Sequence, residues 1–431
     1  MKKIVATFIF IIILISQVFA ETPTELMAEA LMSEAAILID PQNGNVLFGQ
    51  NIHQQMYPAS TTKVMTALLA IEFGDLSDMV VVNQSALDGM VPLAARLGLT
   101  EGEEMPLLHL VQAIMLMSGN DAANVIAEHI AGDIDSFVEL MNERAIELGA
   151  YNTNFANPTG LHHDDHVSTV YDMAIISRYA MAIPEFRGIV VNAHLFLDET
   201  NLHEERRYIV NTNSMISRIV TPNYYFAPTI GVKTGRTTQA GLCLVAAAGR
   251  GRPFELISVT FNAPQGGTRN YSFIDSRALF EYGYSNFRRQ TIVARRDVPL
   301  GEVRLRGARG GNHLPIVTEE PLTALLPIGM TANDLERRLI VPEYLRAPIE
   351  RGQLVGEIEF LQDGNVIGQV NLLASRDVER HVLWFIFLAV DYLWSFLFVR
   401  IIVYVLLGLV VLYLFVLITG IRNAVKKSKR M

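Results

Sequence analysis

Pro58-Ala59-Ser60-Thr61-Thr62-Lys63 runs straight into the apolar Val64-Met65-Thr66-Ala67-Leu68-Leu69-Ala70, and the rest of the chain is best understood from this stretch. A proline followed by helix formers marks a loop entering a helix N-terminus. On that helix Ser60 and Lys63 stand three positions apart, so a hydroxyl and an amine share one face. The lysine is conspicuous because the chain otherwise takes its positive charge from arginine. Between Lys2-Lys3 and Lys426-Lys427-Lys429 the only lysines are Lys63 and Lys233. Arginine stays protonated, whereas a buried lysine can shed its proton and serve as a base.

The 431 residues, 50% of them hydrophobic, suffice for two or three domains with a sizeable core. A net charge of −9, with no basic patch away from the two ends, argues against nucleic acid as a partner. The single Cys243 rules out an intramolecular disulfide and a cysteine-based metal site. It reads as a small buried hydrophobe. His162-His163-Asp164-Asp165-His166 is rich in ligand-type residues, but neighbours in one loop rarely converge on one ion, so no metal and no cofactor are expected. Glu103-Glu104 and Glu204-Glu205 read as surface charge.

The ends set the compartment. Lys2-Lys3, the apolar run Ile4 to Val18 and Val18-Phe19-Ala20 form the pattern of a secretory signal peptide over residues 1–20. At the other end residues 401–421 are apolar and long enough to span a bilayer, and 422–431 form a basic tail. Positive charge flanking a span stays cytoplasmic, which places everything before it outside the cell. Residues 382–399 are also apolar but carry Asp391 and aromatics, with Arg400 separating them from the span. A second crossing would contradict the signal peptide, so this segment is expected to lie as an interfacial helix on membrane lipid.

Between the ends, apolar runs at Ala35–Asp40 and Asn45–Phe48 flank Pro41-Gln42-Asn43-Gly44, a hairpin signature. Helical periodicity covers Leu107 to Ile130, interrupted at Ser118-Gly119-Asn120-Asp121, and returns at Phe137–Leu148 and Tyr171–Ala182. Strand-like runs surround Lys233-Thr234-Gly235, and Ser276–Tyr282 looks like a closing helix. After about Phe287 short β runs alternate with turn residues, which predicts a separate all-β module over 288–377, a structural stalk following the exported body at 25–285.

Three pieces carry chemistry: Ser60-x-x-Lys63, Ser118-x-Asn120 and Lys233-Thr234-Gly235. A serine hydroxyl needs a base, and Lys63 qualifies if burial and a second cation, Lys233, depress its pKa. Backbone N–H groups near Ser60 and on the Lys233 strand would face a developing oxyanion. Gly235 would let a substrate backbone lie close to the strand. Lys233 and Thr234 suit a terminal carboxylate, one by charge and one by hydroxyl.

The set resembles the S-x-x-K, S-x-N and K-T-G marks of penicillin-binding proteins and β-lactamases. The Ser-Gly-Asn form is similar to the low-molecular-mass D-alanyl-D-alanine carboxypeptidases, peptidase family S11. Asn157-Pro158-Thr159-Gly160-Leu161, His166-Val167-Ser168-Thr169 and Ala240-Gly241 extend the likeness over about Glu25 to Arg288. Leu345-Arg346-Ala347-Pro348-Ile349 resembles the family's C-terminal domain. The resemblance implies an α/β (α+β) serine β-lactamase/transpeptidase-like domain, with a central antiparallel sheet and a helical subdomain. A small all-β domain and a C-terminal membrane anchor would follow it.

By position it implies Ser60 as acyl-ester nucleophile, Lys63 as proton acceptor, and Ser118 and Asn120 as proton relay and amide holder. Lys233 and Thr234 would bind the carboxylate, with the Ser60 and Arg236 N–H groups forming the oxyanion hole. The implied ligands are peptidoglycan stem peptides and β-lactam antibiotics. One position departs from the pattern: where relatives carry an arginine before the closing helix, this chain has Ser272, with Arg269 and Arg236 nearby as substitutes. A β-lactamase, a D-Ala endopeptidase and a non-catalytic penicillin-binding scaffold are the alternatives. No glutamate motif between Asn120 and Lys233 supports the first of these.

Overall fold

The computed structural model describes residues 31–219, 221–381, 386 and 392–428. The expected signal peptide, half of the expected interfacial helix and the last three residues of the basic tail lie outside them. The chain forms two compact units, one of residues up to 290 plus 324–331 and one of 291–323 plus 332–431.

The first unit is built on a five-stranded antiparallel sheet. Its strands are β1 (Ala35–Ile39), β2 (Val46–Gln50), β7 (Thr229–Thr237), β8 (Gly241–Ala248) and β9 (Leu256–Ala263), in the order β2-β1-β9-β8-β7. These strands are apolar on both faces because both faces are covered. Ile37, Ile39, Val245, Ala247, Val259 and Phe261 point into one core cluster, while Leu38, Leu244, Ala246 and Leu256 point into the other. The first core is shared with helices α1 (Lys63–Phe73), α2 (Leu107–Leu116), α3 (Asn120–Ala131), α4 (Ile134–Glu147) and α5 (Val170–Ala182). The second is covered by α6 (Tyr271–Asn286), which supplies Phe273, Leu279 and Phe280. Two short ribbons complete the unit: β3 (Met79–Val81) with β4 (Glu104–Pro106), and β5 (His194–Leu197) with β6 (Arg207–Val210). The mixed α/β fold class matches the sequence reading.

Three local differences have physical causes. Ser60 does not sit on the α-helix; it lies in a 3-10 turn, Ala59–Thr62, and α1 begins at Lys63. A 3-10 turn eclipses positions i and i+3, which sets Ser60 over Lys63. Glu103 is not surface charge. It is fully buried and takes two hydrogen bonds from Arg207, at 2.6 and 3.1 Å, plus one from Thr200. A carboxylate enters a core only when so paired. The first unit also does not end at 285: the chain stays with it to Gln290 and returns at 324–331, where Leu325 joins the core beside Phe280 and Phe287.

The second unit holds a six-stranded sheet in the order β14-β16-β17-β12-β11-β15. It comprises β11 (Pro299–Arg306), β12 (His313–Thr318), β14 (Glu336–Ile340), β15 (Tyr344–Arg346), β16 (Leu354–Gln362) and β17 (Asn365–Ala374). Pairings are antiparallel except β11 with β15. Two further strands, β10 (Phe287–Val293) and β13 (Leu322–Pro327), pair with each other. Helix α7 runs from Leu397 to Ser428, and its 26 residues Leu397–Arg422 are long and apolar enough to cross a membrane. It starts earlier than the expected 401. Arg400 lies within it, its guanidinium donating to the Trp394 carbonyl at 2.6 Å.

Candidate active site

The 3-10 turn bearing Ser60 is wedged between two backbones that lack side chains. A Cβ on Gly160 would stand 2.0 Å from the Ala59 oxygen, and one on Gly235 would stand 3.0 Å from the Pro58 oxygen. Gly235 therefore permits a close approach of its strand to the protein's own turn, while it also lines the cleft. Within the turn Ala59 has φ 49°, and Thr61 caps the Pro58 carbonyl at 2.6 Å.

Lys63 is fully buried beneath this turn. Its Nζ lies 3.2 Å from Ser60 Oγ, 2.7 Å from Asn120 Oδ1, and against the Thr159 carbonyl. The Asn120 amide is oriented by its Nδ2 donating to the Ala95 carbonyl at 3.0 Å, so the atom facing Lys63 is an oxygen. Two of the three partners therefore only accept. A neutral amine has two hydrogens and one lone pair; the hydrogens go to Asn120 and Thr159, and the lone pair is left for the Ser60 hydroxyl. Burial favours that neutral form most, the Lys233 charge adds to it, and Asp121 opposes it, so the amine titrates well below an ordinary lysine.

Lys233, on β7, is also fully buried, and burial brings it down to about 7. Its Nζ donates to the Thr234 carbonyl at 2.9 Å. Ser118 takes a left-handed backbone, φ 68°, in the junction between α2 and α3. These groups meet at a cleft of about 780 Å³ whose walls include Ser60, Ser118, Asn120, Thr234, Gly235 and Arg236. Lys63 and Lys233 lie behind those walls. Arg269 and Ser272 line the same cleft. Ser272 is buried and donates to Asn270 at 2.6 Å, which leaves Arg236 and Arg269 as the cleft's cationic side chains. The Thr234 hydroxyl pairs with Thr212 at 2.6 Å.

Three supporting residues carry no role in the sequence reading. Thr159 presents its carbonyl to Lys63 because Asn157 folds the loop, accepting from the N–H groups of Thr159 and Gly160. Asp121 accepts from the N–H groups of Leu97, Gly98 and Leu99 and so moors the opposite wall. His166, in the His162–His166 run, is buried. Its Nδ1 accepts from the Ala156 N–H at 2.9 Å, so Nε2 carries the hydrogen and donates to Thr62 Oγ1 at 2.8 Å. Burial first, then His163, Lys63 and His162, push its pKa down to about 3 and keep it neutral. Thr159 and His166 each lay in a quoted motif; the signal lay in their turn chemistry and not in their side-chain type.

A buried amine poised on a serine, in this order along the chain, has relatives. Residues 20–265 match the D-alanyl-D-alanine carboxypeptidase family, peptidase S11, and residues 287–380 match the C-terminal domain of penicillin-binding protein 5. The chain belongs to the D-alanyl-D-alanine carboxypeptidase family. Within that family it is 30% identical to the carboxypeptidase DacF of Bacillus subtilis over 392 residues, covering 88% of this chain and 95% of that protein. The carboxypeptidase DacA of Haemophilus influenzae is also 30% identical, over 84% of this chain and 87% of its own. The crystal structure of penicillin binding protein 5 from Haemophilus influenzae superposes with a TM-score of 0.67 and 27% identity, covering 81% of this chain and 98% of that one.

Proposed function

We propose that the protein is a membrane-anchored serine-type carboxypeptidase. It removes the terminal D-alanine from peptidoglycan pentapeptide stems through an ester on Ser60. The observation that carries this reading is the Lys63 amine, buried, with Nζ 3.2 Å from Ser60 Oγ and its two other partners, Asn120 Oδ1 and the Thr159 carbonyl, able only to accept.

Ser60 Oγ attacks the carbonyl carbon of the penultimate D-alanine while its proton passes to Lys63 Nζ. The N–H groups of Ser60 and Arg236 take the oxyanion. As the C–N bond breaks, a proton returns through Ser118 to the leaving amine, and D-alanine departs. Water, giving its proton to the same relay, then hydrolyses the ester and restores Ser60. Asn120 holds the substrate amide. The Thr234 hydroxyl, Arg236 and Arg269 receive the terminal carboxylate, and Lys233 supports them with positive potential from beneath. A β-lactam offers the same carbonyl and carboxylate and would acylate Ser60 by the same first step. With α7 as the single anchor and its basic end in the cytoplasm, the site faces the cell wall.

Release of D-alanine from a pentapeptide tests the reading directly. Ser60→Ala is expected to abolish both this release and labelling by fluorescent penicillin. Retention of either would remove Ser60 from the mechanism.

A further inference from the structure

One wall of the cleft is built against the usual rules. Leu93 is 104% exposed relative to an extended reference and lines the cleft beside Ser60 and Ser118. Its φ is 63°, a left-handed backbone that bulky side chains seldom adopt. A leucine there is strained, and its side chain gains no burial in return.

The segment is held, not loose. The Ala95 carbonyl accepts from both the backbone N–H and the Nδ2 of Asn120, at 2.9 and 3.0 Å. Arg96 folds back onto the carbonyls of Val91 and Met90, at 2.9 and 3.2 Å. Asp121 ties down the N–H groups of the next three residues. The leucine is thus presented at a fixed place, two residues from a carbonyl bonded to the catalytic Asn120. Strain that nothing inside the fold offsets points to a partner outside it.

The cleft itself indicates which part of the ligand this is. Its cationic side chains, Arg236 and Arg269, lie with Thr234 on and beside the β7 wall, and that wall takes the carboxylate. Leu93 belongs to the segment moored to Asn120 through the Ala95 carbonyl, and the apolar Met117 and Leu161 also line the cleft.

We propose that Leu93 is a specificity-determining contact that packs on the apolar part of the acyl group, the portion of the ligand remaining on Ser60 after the leaving group departs. This rests on the ester reading above. The ligand covers the leucine on binding, and the fixed loop makes that contact without an ordering cost.

The full-length protein in detergent is acylated by two penicillins sharing nucleus and carboxylate. Benzylpenicillin carries an apolar phenylacetyl group, and 6-aminopenicillanic acid has only an amine there. Leu93→Asn keeps side-chain size and tolerates the left-handed backbone, so folding is preserved while the apolar surface is lost. The acylation rate constant for benzylpenicillin is expected to fall roughly tenfold, while that for 6-aminopenicillanic acid stays within about twofold. Leu93→Met restores the first rate and melts with the parent, while Leu93→Asn, which relieves the backbone strain, melts at or above it. An equal fall for both penicillins, no fall for either, or a lowered melting temperature in Leu93→Asn would overturn the proposal. Failure of the ester reading registers separately, as labelling that survives Ser60→Ala in a protein with Leu93 intact.

Discussion

Lys63 is tuned by its burial and, after that, by the charge of Lys233 behind the same cleft. Lys63 works as a base only when unprotonated, so kcat/KM falls as pH drops through its depressed pKa. Lys233 contributes to that depression. Lys233→Met removes the neighbouring charge and is expected to shift the acid limb of the pH–rate profile to higher pH, besides raising KM through loss of positive potential at the carboxylate. An unmoved acid limb would mean that burial alone tunes Lys63. Stability carries the same signature. Lys233 titrates at about 7 when folded and near an ordinary lysine, about 10.4, when unfolded. Between those values the unfolded chain binds the extra proton, so stability rises with pH across that window and the burial penalty is complete below it. Melting curves from pH 7 to about 10 should rise for the parent and rise less for Lys233→Met.

The turn from Ala59 to Thr62 depends on what lies on either side of it. Gly160 has φ 75° and no space for a Cβ, whereas Gly132, with φ 89°, has nothing within 4 Å. Gly132→Ala therefore meets only the backbone cost, about 1 kcal/mol, while Gly160→Ala adds a clash with the Ala59 carbonyl and should lose roughly 3 kcal/mol. Gly160→Ala should also lose penicillin labelling, because relieving the clash moves Ser60 away from Lys63. Comparing the two by thermal melting and labelling separates a conformational cost from a displaced turn. The helices around this turn were readable from apolar spacing, and the Ser60–Lys63 pairing proposed as nucleophile and base from residue type and order. The wedge was not readable, because a glycine's neighbour across the fold leaves no mark on local sequence. Glu103 illustrates the same point: its partner Arg207 lies 104 residues away, and only tertiary contact turns an apparent surface charge into a core ion pair.

The two-unit division was legible where composition changes, near Phe287, but not where the chain re-enters the first unit at Ala324. That return depends on pairing between β10 and β13, a long-range choice that alternating apolar residues permit without specifying. The C-terminal helix is the opposite case. Its apolar length is local and decides its membrane character without any partner. The proposed orientation rests on charge: in the sequence Arg422, Lys426, Lys427, Lys429 and Arg430 follow the apolar run, and such clusters resist translocation. In spheroplasts making the full chain with a C-terminal tag, a membrane-impermeant fluorescent penicillin is expected to label the protein without permeabilisation. External protease should destroy the labelled body and spare the tag. Labelling that required detergent, or a tag cut from outside, would invert the protein and leave the Ser60 cleft on the wrong side of the membrane for stem peptides in the wall.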